Sequence, residues 1–432
     1  GTMSRRCRIV VYSILAGIGM LAAALLVKLL FFSGLFVPTL ELVGASSMEI
    51  NMNETYHDPG AKSVFRFMDN SSHIIVENKV NTQKLGTYQV IYRLDNADKQ
   101  IVRNVIVTDN KSPDLRLKGE ASMKLFIGER YEEPGYLAYD NYDGDISDQV
   151  KTKTNVDFNQ TGTYFITYQV KDSHGNEASA RRMLQILENP LNTKLAYHHD
   201  MFDNTAFEWW FNKSKNHERV TAAESEAWLA PYDAYYQGKD EKVIYISFDE
   251  GGNNITYIKQ IANVLNQYGV KATFFLTRNY LRDEAAFVKE LVESGHVIGN
   301  HSWHHYDLTT LANAESVDAF VEELTQEEKT YLEVVGEPMK KLFRFPRGAT
   351  SERALKMVHD LGYKTFFWSH AYYDYGSDVS KEEALSTMLE HYHNGAIYLL
   401  HPSNKGNYEA IGEFVREMQK KGYRFDTLDH IG

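Results

Sequence analysis

Between Val243 and Leu400 the chain presents the apolar runs VIYISF, ATFFL, HVIGN, KLFRF, TFFW and AIYLL, separated by amphipathic stretches such as ITYIKQIANVLNQYG and EEALSTMLEHYHN. Strand, helix, strand, helix in that order predicts βαβ units and a mainly parallel sheet. Six or seven such strands over about 190 residues fit a closed or nearly closed (β/α) barrel, and also an open doubly wound sheet. In both architectures the working residues gather at the C-terminal ends of the strands.

That rule tests itself on this sequence. Asp249 and Glu250 follow VIYISF, His301 to His305 follow HVIGN, Arg344 and Arg347 follow KLF, Asp374 comes shortly after TFFWS, and His401 follows AIYLL. Ionisable side chains close nearly every strand, which predicts one shared polar site. FRFPRG read alone is only a turn, and Asp374 read alone only a helix cap. Their order beside the other groups is what assigns them to the site.

His301 and His305 are four apart, a spacing that sets two side chains on one face of a helical turn and lets both imidazoles reach one divalent ion. His304, one residue off that face, reads as a hydrogen-bonded neighbour. A catalytic zinc site takes three protein ligands and leaves a position for water, so Asp249 and Glu250 offer one ligand and one base. His401 is placed to protonate a departing amine, with Arg344 and Asp374 orienting base and acid. This is equipment for metal-assisted hydrolysis of an amide or ester. Imidazole and carboxylate ligands suit Zn2+, and also Co2+, Mn2+ or Ni2+.

The N-terminal region has a different character. Gly1-Thr2 ahead of Met3 reads as a vector-derived scar, and residues 1–8, with Arg5, Arg6 and Arg8, read as a cytoplasmic tail. Residues 9–37 are mostly apolar and carry no charge apart from Lys28, long enough for a transmembrane signal anchor that leaves the rest of the chain outside. A cleaved signal peptide is the alternative. Cys7, the single cysteine, lies before that run, so the exported part has no disulfide. A formal charge of −12 argues against nucleic acid as a partner.

From Leu40 to about Pro190 short runs rich in Val, Ile, Tyr and Thr alternate with Asn, Asp and Gly clusters, an all-β texture that repeats. NETYHDPGAKS resembles GERYEEPGYLA, and KLGTYQVIYRL resembles QTGTYFITYQV, so Tyr56 maps to Tyr131 and Tyr88 to Tyr164. These units, 40–111 and 112–190, resemble tandem bacterial immunoglobulin-like sandwiches of secreted wall proteins. Asp140, Asp143 and Asp145 read first as a solvated turn, with a calcium site as the alternative. Residues 191–240 have no clear period and read as a linker and lead-in holding the aromatic-rich EWWFNKSKNHE.

The blocks SFDEG, HSWHH, RFPRG, WSHAYYDY and LLH, in that order, resemble the five motifs of the polysaccharide deacetylase (NodB-homology, carbohydrate esterase family 4) enzymes. The resemblance covers residues 241–432. It implies a distorted (β/α)7 barrel and metal-dependent de-N-acetylation of an acetamido sugar. By motif position it makes Asp249 the base, His301 and His305 metal ligands, and His401 the acid. Arg344 braces the base, Asp374 tunes His401, and the backbone N–H of Arg347 helps hold the oxyanion. Glu250 stands where the family has a metal-binding aspartate, Ala371 where many members have aspartate, and Tyr375 where tryptophan is common. Together with WWFNKSKNHE, these departures are similar to the delta-lactam-biosynthetic N-acetylmuramic acid deacetylases of spore formers. That resemblance implies peptide-free glycan strands of spore cortex peptidoglycan as substrate, an N-acetylmuramoyl-L-alanine amidase acting beforehand, and a place in the cell wall or forespore intermembrane space. The alternatives are an N-acetylglucosamine deacetylase conferring lysozyme resistance and an inactive wall-binding protein.

Overall fold

The computed structural model describes residues 2–32, 34–250 and 257–432. The glycine of SFDEG falls outside them. The chain divides into two compact units, Gly1–Leu187 and Glu188–Gly432.

The first unit opens with helix α1 (Arg5–Phe32), whose Arg5–Leu29 segment is long and apolar enough to cross a membrane. Two β modules follow. In the first, β1 (Ser47–Asn51), β2 (Ile74–Asn78), β3 (Gly86–Leu94) and β4 (Gln100–Thr108) form a sheet in the order β1-β4-β3-β2, with β1 parallel to β4. The second adds β5 (Asp114–Leu117), β6 (Ser122–Phe126), β7 (Tyr136–Asp140), β8 (Lys151–Thr154), β9 (Gly162–Lys171) and β10 (Glu177–Leu187). Its larger sheet repeats the pattern as β6-β10-β9-β8, with β6 parallel to β10. Strict alternation along β3 and β9 sends Val90 and Tyr92, then Ile166 and Tyr168, into two small cores.

The repeat carries a shared internal lock. Arg103 and Arg182 are fully buried, each donating Nε–H to a tyrosine hydroxyl, Tyr92 at 3.3 Å and Tyr168 at 3.2 Å. Arg103 also donates to the carbonyls of Val43, Ala45 and Gly60, and Arg182 to those of Lys118 and Glu120. Asp58 and Glu133 accept from the two tyrosines. A buried guanidinium satisfied this way fixes the incoming strand of each module.

In the second unit, β11 (Ala234–Tyr235), β12 (Val243–Glu250), β13 (Thr273–Leu276), β14 (Val297–Asn300), β15 (Leu342–Phe343), β16 (Lys364–Phe366), β17 (Ile397–Leu400) and β18 (Arg424–Phe425) build one parallel sheet. Its order is β11-β16-β15-β14-β13-β12-β17, with β18 also on β12. Isolated bridges His370↔Tyr398 and Gln237↔Ala396 join the two ends of that row, which makes the sheet a distorted barrel rather than an open sheet. Helices α2 (Ile258–Gln267), α3 (Arg278–Asp283), α4 (Ala285–Glu293), α5 (Val317–Val335), α6 (Glu352–Asp360), α7 (Lys381–Glu390) and α8 (Lys405–Lys420) lie in the connections. Every residue of β13, β14 and β17 is buried, the signature of strands covered on both faces.

Candidate active site

Because neighbouring strands run parallel, their C-terminal ends reach one rim together. Phe248 of β12 is in register with Leu400 of β17, so Asp249 and His401 emerge side by side; His301 leaves β14 and Arg344 leaves β15 on the same rim. Asp249, Glu250, His301, His305, Arg347 and His401 all line one cleft of about 850 Å³. Arg344 and Asp374 stand behind it, 0% and 1% exposed.

The Arg344 guanidinium is spent on three fixed acceptors. Nη1 donates to Asp249 Oδ1 at 2.9 Å, Nε to the Phe366 carbonyl at 2.9 Å and Nη2 to the Phe367 carbonyl at 3.1 Å. Its cationic face lies over the Phe275 ring at 4.3 Å. Phe275 in turn needs Gly299, where a Cβ would come within 2.4 Å of the ring. Burial pushes the Asp249 carboxyl up, but the charge of Arg344 and its hydrogen bond outweigh it and hold Asp249 below the usual carboxylate range. Asp249 is therefore ionised at neutral pH, with Oδ2 still directed to the cleft.

His301 Nδ1 lies 2.8 Å from the Arg344 carbonyl, which can only accept, so Nδ1 carries the proton and Nε2 keeps its lone pair, 3.9 Å from Asp249 Oδ2. The His305 ring meets that of His301 edge-on at 4.9 Å. Burial, and for His305 also the neighbouring His301, depress both pKa values, His305 to about 4. Two neutral imidazoles beside a carboxylate, with Glu250 lining the same cleft, are donors of the chemical kind that a divalent cation takes. The sequence spacing predicted a helical turn here. The structure instead has an irregular loop, with Ser302 at φ 71° and His305 at φ 60°, which brings the rings together without a helix. His304 turns away to pair with Glu323, whose carboxylate also accepts the N–H groups of Trp303 and His304.

Asp374 does not cap a helix. Its Oδ1 accepts from His401 Nδ1 at 2.5 Å and its Oδ2 from the His401 N–H at 2.9 Å and Asn407 Nδ2 at 2.7 Å. Burial would lower the His401 pKa, but the bond to Asp374 and its charge outweigh this and raise it. The arrangement favours the protonated imidazole and leaves Nε2 for the cleft that His401 lines. Arg347, at φ 57° in the Pro346–Gly348 turn, lines the same cleft.

Sequence reasoning missed the far wall. Glu208, Trp209, Trp210 and Lys213 of the aperiodic lead-in line the cleft, as do Tyr373 and Tyr375. The lead-in is stitched down strand-wise, Phe207 and Glu208 pairing with Thr350 and Ala349. Trp209 stacks on Phe367 at 4.7 Å and donates Nε1–H to the Trp368 carbonyl at 2.9 Å. Its neighbour Trp210 is left 54% exposed, a ring face open to a ligand. The cluster of aromatics in EWWFNK was the available signal.

The polysaccharide deacetylase family signature matches residues 236–366, and the bacterial surface protein Ig-like domain matches 40–107 and 115–186. Peptidoglycan-N-acetylmuramic acid deacetylase PdaA of Bacillus subtilis is 36% identical over 232 residues, 53% of this chain and 86% of that protein. The chain belongs to the polysaccharide deacetylase family. The polysaccharide deacetylase domain is also similar to the solved structure of Bacillus subtilis PdaA, described as a family 4 carbohydrate esterase. That likeness has 36% identity and a TM-score of 0.50, and covers 53% of this chain and 97% of that one. A peptidoglycan-N-acetylglucosamine deacetylase of Bacillus cereus is 30% identical over 196 residues, 44% of this chain and 89% of that protein. As a polysaccharide deacetylase the protein is a hydrolase, from a family that is metal-dependent in general, preceded by two Ig-like domains.

Proposed function

We propose that the protein removes the N-acetyl group from N-acetylmuramic acid in peptide-free glycan strands of peptidoglycan, as a step towards muramic-delta-lactam in spore cortex. The observation that carries this reading is the lead-in. Similarity to the muramic acid deacetylase spans more of the chain than the family match and everything after it, so it takes in the segment that brings Trp209 and Trp210 to the cleft.

His301, His305 and Glu250 would hold the cation, with Zn2+ the first assignment and Co2+, Mn2+ or Ni2+ fitting the same donors. When bound, the cation supplies Lewis-acid polarisation of the amide carbonyl and acidifies water. Asp249, kept ionised by Arg344, takes the proton of the attacking water on Oδ2. The Arg347 N–H faces the oxyanion that develops. His401, kept charged by Asp374, delivers its Nε2 proton to the departing sugar amine, so the C–N bond breaks to release acetate and a free amine. Trp210, Tyr373 and Tyr375 offer ring faces on which pyranose units stack.

We read α1 as a signal anchor, with the catalytic part outside the membrane and the modules 40–111 and 112–190 as spacers. An amidase that strips stem peptides would supply the substrate.

The test is mass spectrometry of glycan strands, with and without stem peptides, after incubation with metal-loaded enzyme. Acetyl loss from muramic acid on peptide-free strands alone supports the proposal. Loss from glucosamine moves the enzyme to the lysozyme-resistance class, and no loss from any strand supports a wall-binding role.

A further inference from the structure

Two buried carboxylates, Asp109 and Asp172, meet His174 where the two Ig-like domains join, and a third, Asp140, is near enough to feel their charge. Asp109 comes directly after β4, Asp140 ends β7, and Asp172 comes directly after β9. All three are buried, at 5%, 0% and 5% exposure. Ligand atoms of Asp109, Asp172 and His174 lie within 4.8 Å of one another. Among the described residues no lysine or arginine pairs with any of the three. The one basic partner is the exposed His174, whose Nδ1 is 3.0 Å from Asp109 Oδ2.

Backbone donors account for only part of this negative charge. Asp172 accepts the N–H groups of His174 and Asn176 at 2.9 and 2.8 Å on one oxygen and Asn176 Nδ2 at 2.7 Å on the other, Asp109 Oδ1 accepts the Lys111 N–H at 3.3 Å, and Asp140 Oδ2 accepts the N–H groups of Tyr142 and Asp143, both at 2.9 Å. Asp140 Oδ1 is buried with no hydrogen-bond partner, and so are both the side-chain oxygen and nitrogen of the adjacent Asn141. Burial, then the charges of Asp109 and Asp172, push the Asp140 carboxyl up, so its open oxygen shares their field. Asp143 and Asp145, grouped with Asp140 on sequence, are instead engaged by Ser173 and Ser147 as ordinary turn acceptors.

The first domain is an internal control. In the register that aligns Tyr92 with Tyr168, Asn96 takes the place of Asp172. Asn96 donates to Asn70 Oδ1 at 2.9 Å, and Asn70 Nδ2 donates to Ser63 Oγ at 2.9 Å. The fold thus closes this corner with neutral amides and needs no carboxylate there. The second domain has the anionic version and draws in a third carboxylate from the connecting segment.

Buried carboxylates without a counter-charge are costly, and a hard cation taking 6–8 oxygen ligands removes that cost. We propose that Asp109, Asp140 and Asp172, with the Asn141 side-chain oxygen, form a calcium site that clamps the two Ig-like domains together. Oxygen donors outnumber the single imidazole nitrogen, which favours calcium over zinc. The site is independent of the deacetylase centre, because every ligand lies in the first unit.

The test uses the detergent-solubilised full chain, loaded with its catalytic metal and freed of calcium with EGTA. Tb3+ is the probe, sensitised by Tyr142, whose ring meets His174 edge-on at 4.6 Å. Expected are tyrosine-sensitised emission that calcium displaces, and a rise of several degrees in the melting temperature of the Ig-like unit with calcium. Asp140→Asn should weaken calcium binding at least ~10-fold while raising the calcium-free melting temperature, because a buried charge is gone. Asp145→Asn should leave the calcium response intact. The proposal is overturned if the wild type shows no calcium response, if Asp140→Asn keeps the full response, or if zinc but not calcium displaces Tb3+. It is equally overturned if Asp140→Asn lowers the melting temperature to the same extent with and without calcium, which is the mark of a purely structural aspartate.

Discussion

Asp374 grips His401 at two points, one carboxylate oxygen on Nδ1 at 2.5 Å and the other on the backbone N–H at 2.9 Å. The pair fixes both the direction and the protonation of the imidazole. In the proposed role of acid, His401 is active in its protonated form, and a raised pKa carries that form above the ordinary 6.5. Asp374→Asn removes the raising influence, and the alkaline limb of the kcat/KM profile should move to lower pH, with at least ~10-fold lower kcat at pH 8. The same interaction contributes stability that is present below about pH 6.5 and is lost as pH rises through the folded-state pKa. Thermal unfolding across pH 5 to 9 should therefore show a smaller decline for the variant.

Arg344→Met acts on the opposite limb. Without the guanidinium, the strongest influence lowering Asp249 is gone and its pKa rises, so the acid limb of the profile should move to higher pH. Removing one partner of a buried ion pair should also cost ~3 kcal/mol or more in denaturant unfolding. An acid limb that stays in place would remove Asp249 from the role of base.

The double change His301→Ala with His305→Ala should abolish stoichiometric binding of the catalytic metal by mass spectrometry, with the Ig-like unit unaltered. His401→Ala should retain the metal and lose about 10²-fold or more in kcat. Metal retained by the double variant would place the ion elsewhere.

Trp209 and Trp210 are neighbours with opposite fates. Trp209→Ala empties a stacked, 2% exposed position and should destabilise the catalytic unit by ~3–5 kcal/mol. Trp210→Ala should change stability by under ~0.5 kcal/mol and raise KM for glycan strands several-fold with kcat nearly constant, the signature of a lost binding platform.

Gly348 sits at φ +65°, and a Cβ there would come within 2.7 Å of Trp368 and 3.1 Å of Trp209. Gly348→Ala should cost more than ~1 kcal/mol and lower kcat by shifting Arg347, measurable as a joint loss of melting temperature and turnover.

The barrel was legible because strands covered on both faces must be written as unbroken apolar runs, and because parallel pairing forces the residue after each run to the same rim. Asp249, His301, Arg344 and His401 could therefore be gathered from order alone. The loop Ser302–His305 was misread as helical because its left-handed residues are serine and histidine, without the glycine that normally announces such a backbone. The lead-in was illegible for a different reason. Its position is set by long-range bonds such as Trp209 Nε1–H to Trp368 and His199 Nε2 to Asp360, and no periodic pattern records contacts of that kind. Asp109 was invisible in the same way, since its partners lie on the other domain, more than sixty residues on.

In each Ig-like domain the first long strand runs parallel beside the last, β1 on β4 and β6 on β10, with five paired positions apiece. Tension applied between the ends of such a domain pulls these two strands past each other lengthwise, so the rungs must fail together rather than open one by one. On the proposed reading, with the N-terminal helix in a membrane and the cleft on a glycan strand, modules built this way would carry load between two structures that move apart as a wall swells.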